Sequence, residues 1–590
     1  MRNFLLFLMI GCFTSLSAQI TPRNTNTFLP KGFAPGEREM MKDYIADIQN
    51  RSVTCLTSPP PGSTLRSMAE WEELQSIVIT WAAQIPILTE IVRYAREEVE
   101  VIIICSNENV VKNQLGGAGV DWSSNVTFIE DNFNSIWVRD YGPNPVYLDE
   151  VGELAFVDWI YNRPRPADDK IPEVVANYLG IDNYCTTQVP TDLVHTGGNF
   201  MSDGLGTAFS SDLFLEENGP FNEWGTSNHD EGTVKQIMEN FMGIKAYPLM
   251  TSLPYDVIHH IDMHMKILDE ETLLVGQYPQ GVADGPQIEA NIQYILNNYT
   301  TAYGDPFNVI RIPMPPENGS YPNTNGDYRT YANAIFVNKT ILVPVYEEQY
   351  DTTALRIWEE TMPGYNIVGI DCNAIIPSLG AIHCITKEVG VHQPLWISTN
   401  RINAGCINEP SLVEAQIKHQ LGISNSALIY KTTTSDWTTV DMTNNGSDIW
   451  SAEIPGIPQG TKVSYYIEST ATDGKTITRP LPGEAGAFSF TLEDCTVSTA
   501  DLEGSQTSLD EIFPNPANAI TCIPVNSDHS VEGIIEVTDV LGRSIAIVFE
   551  GQIQAGASKY FINAERYQAG TYIVTLKTKA YTQSQKLIIK

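Results

Sequence analysis

Cys384 stands in "GAIHCITKE", residues 380–388. A thiolate attacks electrophilic carbon well once a lowered pKa or a nearby base supplies the anion, so Cys384 is a candidate nucleophile. His383 is its neighbour. If the stretch is a strand, adjacent side chains point to opposite faces, and His383 is a poor base for Cys384. Cys372, in "GIDCNAI", has no comparable context and reads as core.

The stretch "HHIDMHM", residues 259–265, alternates His260, Asp262 and His264. On a strand these three share one face, which gives either half of a metal site or a proton-transfer pair. Zinc needs further ligands that nothing in the chain supplies, so no metal is expected and His260 is read as the acid/base candidate. In "SIWVRDYGPNPV", Trp137, Arg139 and Asp140 precede Gly-Pro, where a strand should end in a turn. A carboxylate beside an indole suits a planar cation such as a guanidinium. The competing view puts Trp137 in the core and pairs Arg139 with Asp140 at the surface. In "YNRPRPADDK", Arg163 and Arg165 flank a proline in an extended stretch, so both can reach one anion, with a carboxylate as a natural partner. "HTGGN" at 195–199 supplies a flexible turn.

The elements that must position these groups lie between about 65 and 400. Apolar runs ("SIVITW", "VEVIIICS", "ETLLVGQY", "NAIFVNKTILVPVY", "NIVGID") alternate with helical stretches ("PILTEIVRYAREEV", "IEANIQYILNNY", "TTALRIWEETM"), which gives an α/β body over 61–405. No clean sequence repeat is visible, although a structural repeat can hide beneath divergence. Residues 406–495 carry short β-rich runs broken by "NNG", "PQG" and "DGK", the pattern of an immunoglobulin-like β-sandwich. Residues 496–510 read as a linker and 511–590 as a further all-β module. At the other end, Arg2, the apolar "FLLFLMIGCF" and "LSA" before Gln19 read as a signal peptide over 1–18. Residues 19–60 read as a mobile leader or propeptide with one short helix at "GEREMMKDYIADIQN".

Lys plus Arg number 35 against 71 Asp plus Glu, a net charge of −36, which argues against a nucleic-acid partner and favours cationic ligands. Nine cysteines without a CxxC give no compact disulfide framework, although export permits one or two bridges.

The order "WVRDYGP", "YNRPRP-DD", "HTGGN", "HHID", "YANAIFVN", "GAIHC-T-E" resembles the Porphyromonas-type peptidylarginine deiminases and their agmatine deiminase relatives, guanidine-modifying enzymes. The resemblance covers roughly 65–400. It implies a five-bladed pseudo-symmetric α/β propeller. It also implies Cys384 as nucleophile, His260 as general acid/base, Asp140 and Asp262 as the carboxylates that grip the guanidinium, and Asn333 lining the site. Trp137 would be the aromatic wall, and Arg163 and Arg165 the pair that holds the carboxylate of a C-terminal arginine. No cofactor is implied. "HTGGN" stands where agmatine deiminases carry Glu-Gly-Gly, and those enzymes lack the "NRPRP" pair. Both differences favour peptidyl-arginine, with citrulline and ammonia as products. Agmatine as substrate, giving N-carbamoylputrescine, and amidinotransfer are the alternatives within the same fold; a non-catalytic adhesin is the alternative outside it. Residues 511–590, with Pro514-Asn515-Pro516, "DVLGR" and "AGTYIV", resemble a type IX secretion sorting domain. That implies passage through the periplasm and outer membrane to the cell surface or medium, with the secretion machinery as partner.

Overall fold

The computed structural model describes residues 29–62, 64–220, 222, 224–458, 462–493, 495, 507–518, 520–539, 543–578 and 582–590. The expected signal peptide, the first part of the leader and most of the expected linker lie outside the described residues. Two compact units are present, one ending at Glu493 and the other beginning at Asp494.

In the first unit, β1 (Leu74–Thr80), β2 (Glu100–Cys105) and β3 (Val126–Glu130) run parallel, and helix α2 (Ile85–Ala95) crosses from β1 to β2. Ile77, Val78, Ile79 and Val101 through Ile104 are all buried, because strands covered on both faces need apolar residues at every position. Helix α2 turns Ile87, Leu88, Ile91, Val92 and Ala95 into that core at helical spacing.

The same motif recurs. β4 (Asn144–Tyr147) lies antiparallel to β5 (Leu154–Tyr161), and α3 (Ile171–Leu179) leads to β6 (Asp182–Thr186), parallel to β5. β7 (Met201–Ser202) lies antiparallel to β8 (Ala208–Ser211), and α4 (Glu231–Met242) leads to β9 (Leu249–Met250), parallel to β8. β10 (Met265–Ile267), β11 (Thr272–Gln277), α5 (Gly285–Asn298) and β12 (Asn308–Pro313) repeat it, as do β13 (Ile335–Val337), β14 (Thr340–Val345), α6 (Glu348–Thr361) and β15 (Asn366–Asp371). The first sheet is completed from the far end of the sequence: β16 (Lys387–Gly390) pairs antiparallel with β1. Each sheet therefore has an antiparallel leading strand, a central strand, and a parallel strand reached through a helix. This is the repeat that side-chain identity conceals.

After this body come two sheets with their own core, including Val413, Ile417, Val463, Tyr465 and Ile467. Burial alternates strictly along Ser411–Lys418 and Lys462–Ala471, as in sheets with one dry face. Trp396–Ser398 already pairs with Ser411–Lys418, so this β region takes in residues before 406. It is anchored to the α/β body by a buried Arg479–Glu270 pair and by Arg401 to Asp269 and Glu271. The second unit is all-β, with a core that includes Ile523, Ile535, Val574 and Leu587.

The leader departs from expectation. Helix α1 (Glu37–Asn50) forms at the anticipated stretch, but the segment is packed down, not loose. Met41, Tyr44, Ile45 and Ile48 are buried against Ile160, Val194 and Trp224, and a Cys55–Cys185 disulfide ties the segment's far end to the body. Cys406 and Cys495 are also disulfide-bonded, while Cys105, Cys372, Cys384 and Cys522 are free. Among the described residues no helix is long and apolar enough to cross a membrane.

Candidate active site

The segments just before the five leading strands converge. Asp140 sits on a short helix, Val138–Tyr141, before β4; Gly197–Asn199 precede β7; His260 and Asp262 precede β10; Asn333 precedes β13; Cys384 precedes β16. A repeated architecture thus brings a different set of groups from each repeat to a shared centre: Asp140, the close-packed Gly198, His260 with Asp262, Asn333 and Cys384.

Asn333 holds the nucleophile candidate from both sides. Its Nδ2 lies 3.2 Å from Cys384 Sγ, and the Cys384 backbone N–H donates to its Oδ1 at 3.4 Å. Nδ2 also donates to the Asp262 carbonyl at 3.1 Å, which binds the His260–Asp262 loop to the Cys384 loop. Cys384 Sγ is 3.5 Å from Asp262 Oδ2, and His260 Nδ1 is 3.5 Å from Asp140 Oδ1. All five side chains are buried, and both ring nitrogens of His260, Asp140 Oδ1 and Asp262 Oδ1 make no hydrogen bond among the described residues. Unpaired polar atoms at such depth are costly unless a ligand completes them.

A cation already stands at this centre. Lys31 Nζ is 2.7 Å from Cys384 Sγ, 3.9 Å from Asp262 Oδ1 and 4.0 Å from Asp140 Oδ1, and Lys31 is fully buried. Burial alone would lower its pKa; Asp140, Asp262 and Cys384 outweigh that and raise it. The ammonium belongs to the leader, and nothing in the motifs pointed to it.

The electrostatics follow from these positions. Burial, then Asp262, pushes the Cys384 thiol up to about 12, and Lys31 pulls the other way. Burial and then Lys31 hold His260 well below its ordinary value, so its imidazole is neutral here. Burial would raise Asp262, but Lys31 and a 2.8 Å contact from His383 Nδ1 bring it down. Burial leaves Asp140 raised although Lys31 pulls it down, and the neighbouring Asp262 carboxylate adds to the rise.

Two expectations of local structure fail. His260–His264 is not a strand: Asp256 accepts the His260 N–H at 2.9 Å, His259 adopts φ 56°, and Ile261–Met263 form a 3-10 turn. His264 is buried, its ring nitrogens have no hydrogen-bond partner among the described residues, and burial lowers it to about 4. No group of three or more His, Cys, Asp and Glu side chains forms a metal-binding cluster among the described residues. The Cys384 stretch is also a 3-10 turn, His383–Ile385, which lets His383 turn inward and bridge Asp262 and Glu70.

Arg139 is not at the surface. Its guanidinium grips Glu388 and lies under the site, and its Nε donates to the His383 carbonyl at 3.2 Å. Gly198 is needed for close approach: a Cβ there would stand 2.6 Å from His260 Nδ1 and 2.9 Å from Asp140 Oδ1. Gly380 does the same beside Trp137 and Cys384, at 2.6 Å and 3.0 Å. Trp137 lies against the Lys31 ammonium, 6.0 Å from ring centroid to Nζ, and its indole N–H donates to the Leu29 carbonyl. Arg163 and Arg165 both reach the site's mouth, where they contact leader carbonyls. From there a groove of about 1630 Å³ opens, lined by Tyr255, Val257, Tyr328 and Leu379, with Glu216, Glu217 and Asp327 among its acidic residues.

A cysteine held by an asparagine, two carboxylates around a cation, and a buried imidazole define a hydrolase that acts on carbon–nitrogen bonds of amidines. The chain belongs to the Porphyromonas-type peptidyl-arginine deiminase family, whose description matches residues 66–390. Residues 511–590 match the secretion system C-terminal sorting domain, which marks the protein for secretion or the cell surface. A "putative agmatine deiminase" of Lactococcus lactis is 27% identical over 308 residues, 47% of this chain and 81% of that one. One from Vibrio parahaemolyticus is 23% identical over 369 residues, 57% of this chain and 99% of that one. A solved structure of another "putative agmatine deiminase" superposes with a TM-score of 0.50 at 20% identity, over 58% of this chain and 100% of that one.

Proposed function

We propose that the protein is a secreted cysteine-dependent deiminase that hydrolyses arginine side chains of peptides or proteins to citrulline and ammonia. The observation that carries this reading is the Lys31 ammonium, held between Asp140 and Asp262 and against Cys384. A centre that stabilises a buried cation next to a thiol suits a guanidinium, whose own charge makes its central carbon electrophilic.

In this reading Asp140 and Asp262 orient the guanidinium, and its charge replaces the pull of Lys31 that favours the Cys384 thiolate. Cys384 Sγ attacks the central carbon. His260 carries the proton to the departing nitrogen and ammonia leaves. The protein is then a thiouronium, and a water deprotonated by His260 attacks it, releasing the ureido product and the thiol. Asn333 holds Cys384, and Trp137 walls the site. These residues perform the chemistry without calling on a metal or organic cofactor.

Arg163 and Arg165 favour peptidyl-arginine. Two guanidinium groups at the mouth suit carbonyl or carboxylate oxygens and repel the free ammonium of agmatine. Agmatine is the second reading, favoured by the names of the relatives; amidinotransfer would require an amine acceptor. We read the five sheets as blades of a propeller around the site, the region after it as an immunoglobulin-like sandwich, and residues 1–18 as a cleaved signal peptide. Product analysis with agmatine, free arginine, and peptides with internal or C-terminal arginine tests the substrate. Citrulline from peptides without N-carbamoylputrescine from agmatine is expected; turnover of agmatine alone overturns the peptide reading.

A further inference from the structure

We propose that Leu29–Phe33 is a built-in pseudosubstrate, which the site holds as it would hold an arginine inside a peptide, and whose departure opens the enzyme. The chemistry rests on the deiminase reading; the occupancy does not.

Four consecutive leader carbonyls are each taken by a side chain of the body. Trp137 Nε1 donates to Leu29 O at 3.1 Å, Arg165 Nη2 to Pro30 O at 2.7 Å, Arg163 Nε to Lys31 O at 3.1 Å, and Arg165 Nη2 again to Gly32 O at 3.0 Å. Main-chain oxygens are common to every peptide, so this grip reads a backbone bent at Lys31 and Gly32 and not a sequence. The one leader side chain sent into the centre is Lys31. Counted outward from Cα, lysine Nζ and arginine Cζ are the same atom position. The ammonium nitrogen thus marks where the reactive carbon of an arginine would lie, at 2.7 Å from Cys384 Sγ, and a modest withdrawal gives attack distance. Lysine has no carbon there and no leaving nitrogen, so the site is filled by an inert cation.

Arg163 and Arg165 therefore serve the peptide backbone on both sides of the inserted residue, which fits an internal arginine as well as a terminal one. The leader is anchored beyond the plug: Arg165 also holds Glu37 at 2.9 Å, and Phe33 lies under the Arg163 guanidinium at 4.2 Å. Residues 51–54, between α1 and the Cys55–Cys185 disulfide, are exposed, so a single cut there severs the plug's covalent tie to the body, leaving only its non-covalent contacts, and keeps the bridge in place.

The test uses the full chain and its Lys31→Arg and Lys31→Ala variants. Lys31→Arg converts the plug to a substrate. Cys384 Sγ forms a bond to Cζ, one C–N bond breaks and leaves as ammonia, and water then replaces sulfur, so arginine plus water gives citrulline plus ammonia. Peptide mass spectrometry should show residue 31 as citrulline, about 1 Da heavier than arginine, and as intact arginine when Cys384→Ala is added. Lys31→Ala should raise the rate of Cys384 alkylation by iodoacetamide, and turnover of an internal-arginine peptide, by at least ~10-fold, because a tethered occupant lowers the open fraction. The proposal is overturned if residue 31 stays arginine in an enzyme that deiminates added peptide, or if Lys31→Ala leaves alkylation at the wild-type rate. Faster alkylation of Lys31→Ala with no turnover of any guanidine would uphold the plug and sink the deiminase reading.

Discussion

Arg139 and Glu388 form a buried fork, with Nη1 on Oε1 at 2.9 Å and Nη2 on Oε2 at 2.5 Å. Each is close in sequence to a catalytic candidate: Arg139 precedes Asp140, and Glu388 follows Cys384 on β16. The pair joins the loop that carries the carboxylate to the loop that carries the thiol. Removing one partner strands a buried charge, at a cost of about 3–5 kcal/mol. Arg139→Met should therefore lower both Tm and kcat. Lysine cannot make the fork, so Arg139→Lys should recover little of either.

The two carboxylates Glu388 and Glu217 should answer pH with opposite signs. Burial would raise Glu388, but Arg139 and Lys387 outweigh it and hold its pKa low. Its contribution is present above the ordinary carboxylate range and is lost as pH falls below it, so the Tm deficit of Glu388→Gln should shrink in acid. Burial pushes Glu217 up to about 8. Its contribution is present in acid and is lost as pH rises toward 8, so Glu217→Gln should gain on the wild type between pH 5 and 8. Thermal melts carried from about pH 2 to 5 decide the first and from pH 5 to 8 the second; parallel curves in either window would contradict the assigned environment.

Cys384→Ala should abolish turnover, by ~10³-fold or more, with an unchanged far-UV spectrum. Residual activity within tenfold of wild type, measured as ammonia release, would remove Cys384 from the mechanism.

Gly198→Ala places a methyl group among His260, Asp140 and Asp262, where the nearest atom would be 2.6 Å away. Overpacking of this kind costs about 1–3 kcal/mol. The expected signature is a large loss of kcat with a modest loss of Tm, whereas Gly119→Ala, at an open surface turn, should spare kcat.

Removing residues 496–590 takes away nearly all of the separate compact unit while keeping the disulfide-bonded Cys495, and should leave deimination intact. Removing everything after 407 strands Glu270, whose partner Arg479 is lost. That truncation should melt lower. Equal Tm values would show that the Arg479–Glu270 anchor contributes nothing.

Asp140, His260, Asp262, Asn333 and Cys384 are legible together because the order of the motifs that carry them resembles that of the deiminase family, and the structure brings all five together. Helices and strands with strong periodicity, such as 74–80 and 285–298, were equally legible. Alternation misleads at 259–265, where a carboxylate just upstream, Asp256, accepts the His260 N–H and the backbone folds into a 3-10 turn. The same error hid His383, since neighbours on a helical turn need not face apart. The competing view of Arg139 as a surface partner of Asp140 fails because its true partner, Glu388, lies 249 residues away. Lys31 gave no signal at all: its meaning lies in where the leader is tied down, and no local pattern encodes that.

The pairing of β16 with β1 has a temporal consequence. Ser76 meets Val389 across more than 300 residues, so the nucleophile-bearing loop is among the last parts of the body to find its place. Until that return is made, Cys384 stands apart from Asn333 and Asp262, and the partly folded chain carries no assembled chemistry. A protein bound for export thus has its site assembled only once β16 pairs with β1, which ties the meeting of these residues to completed folding.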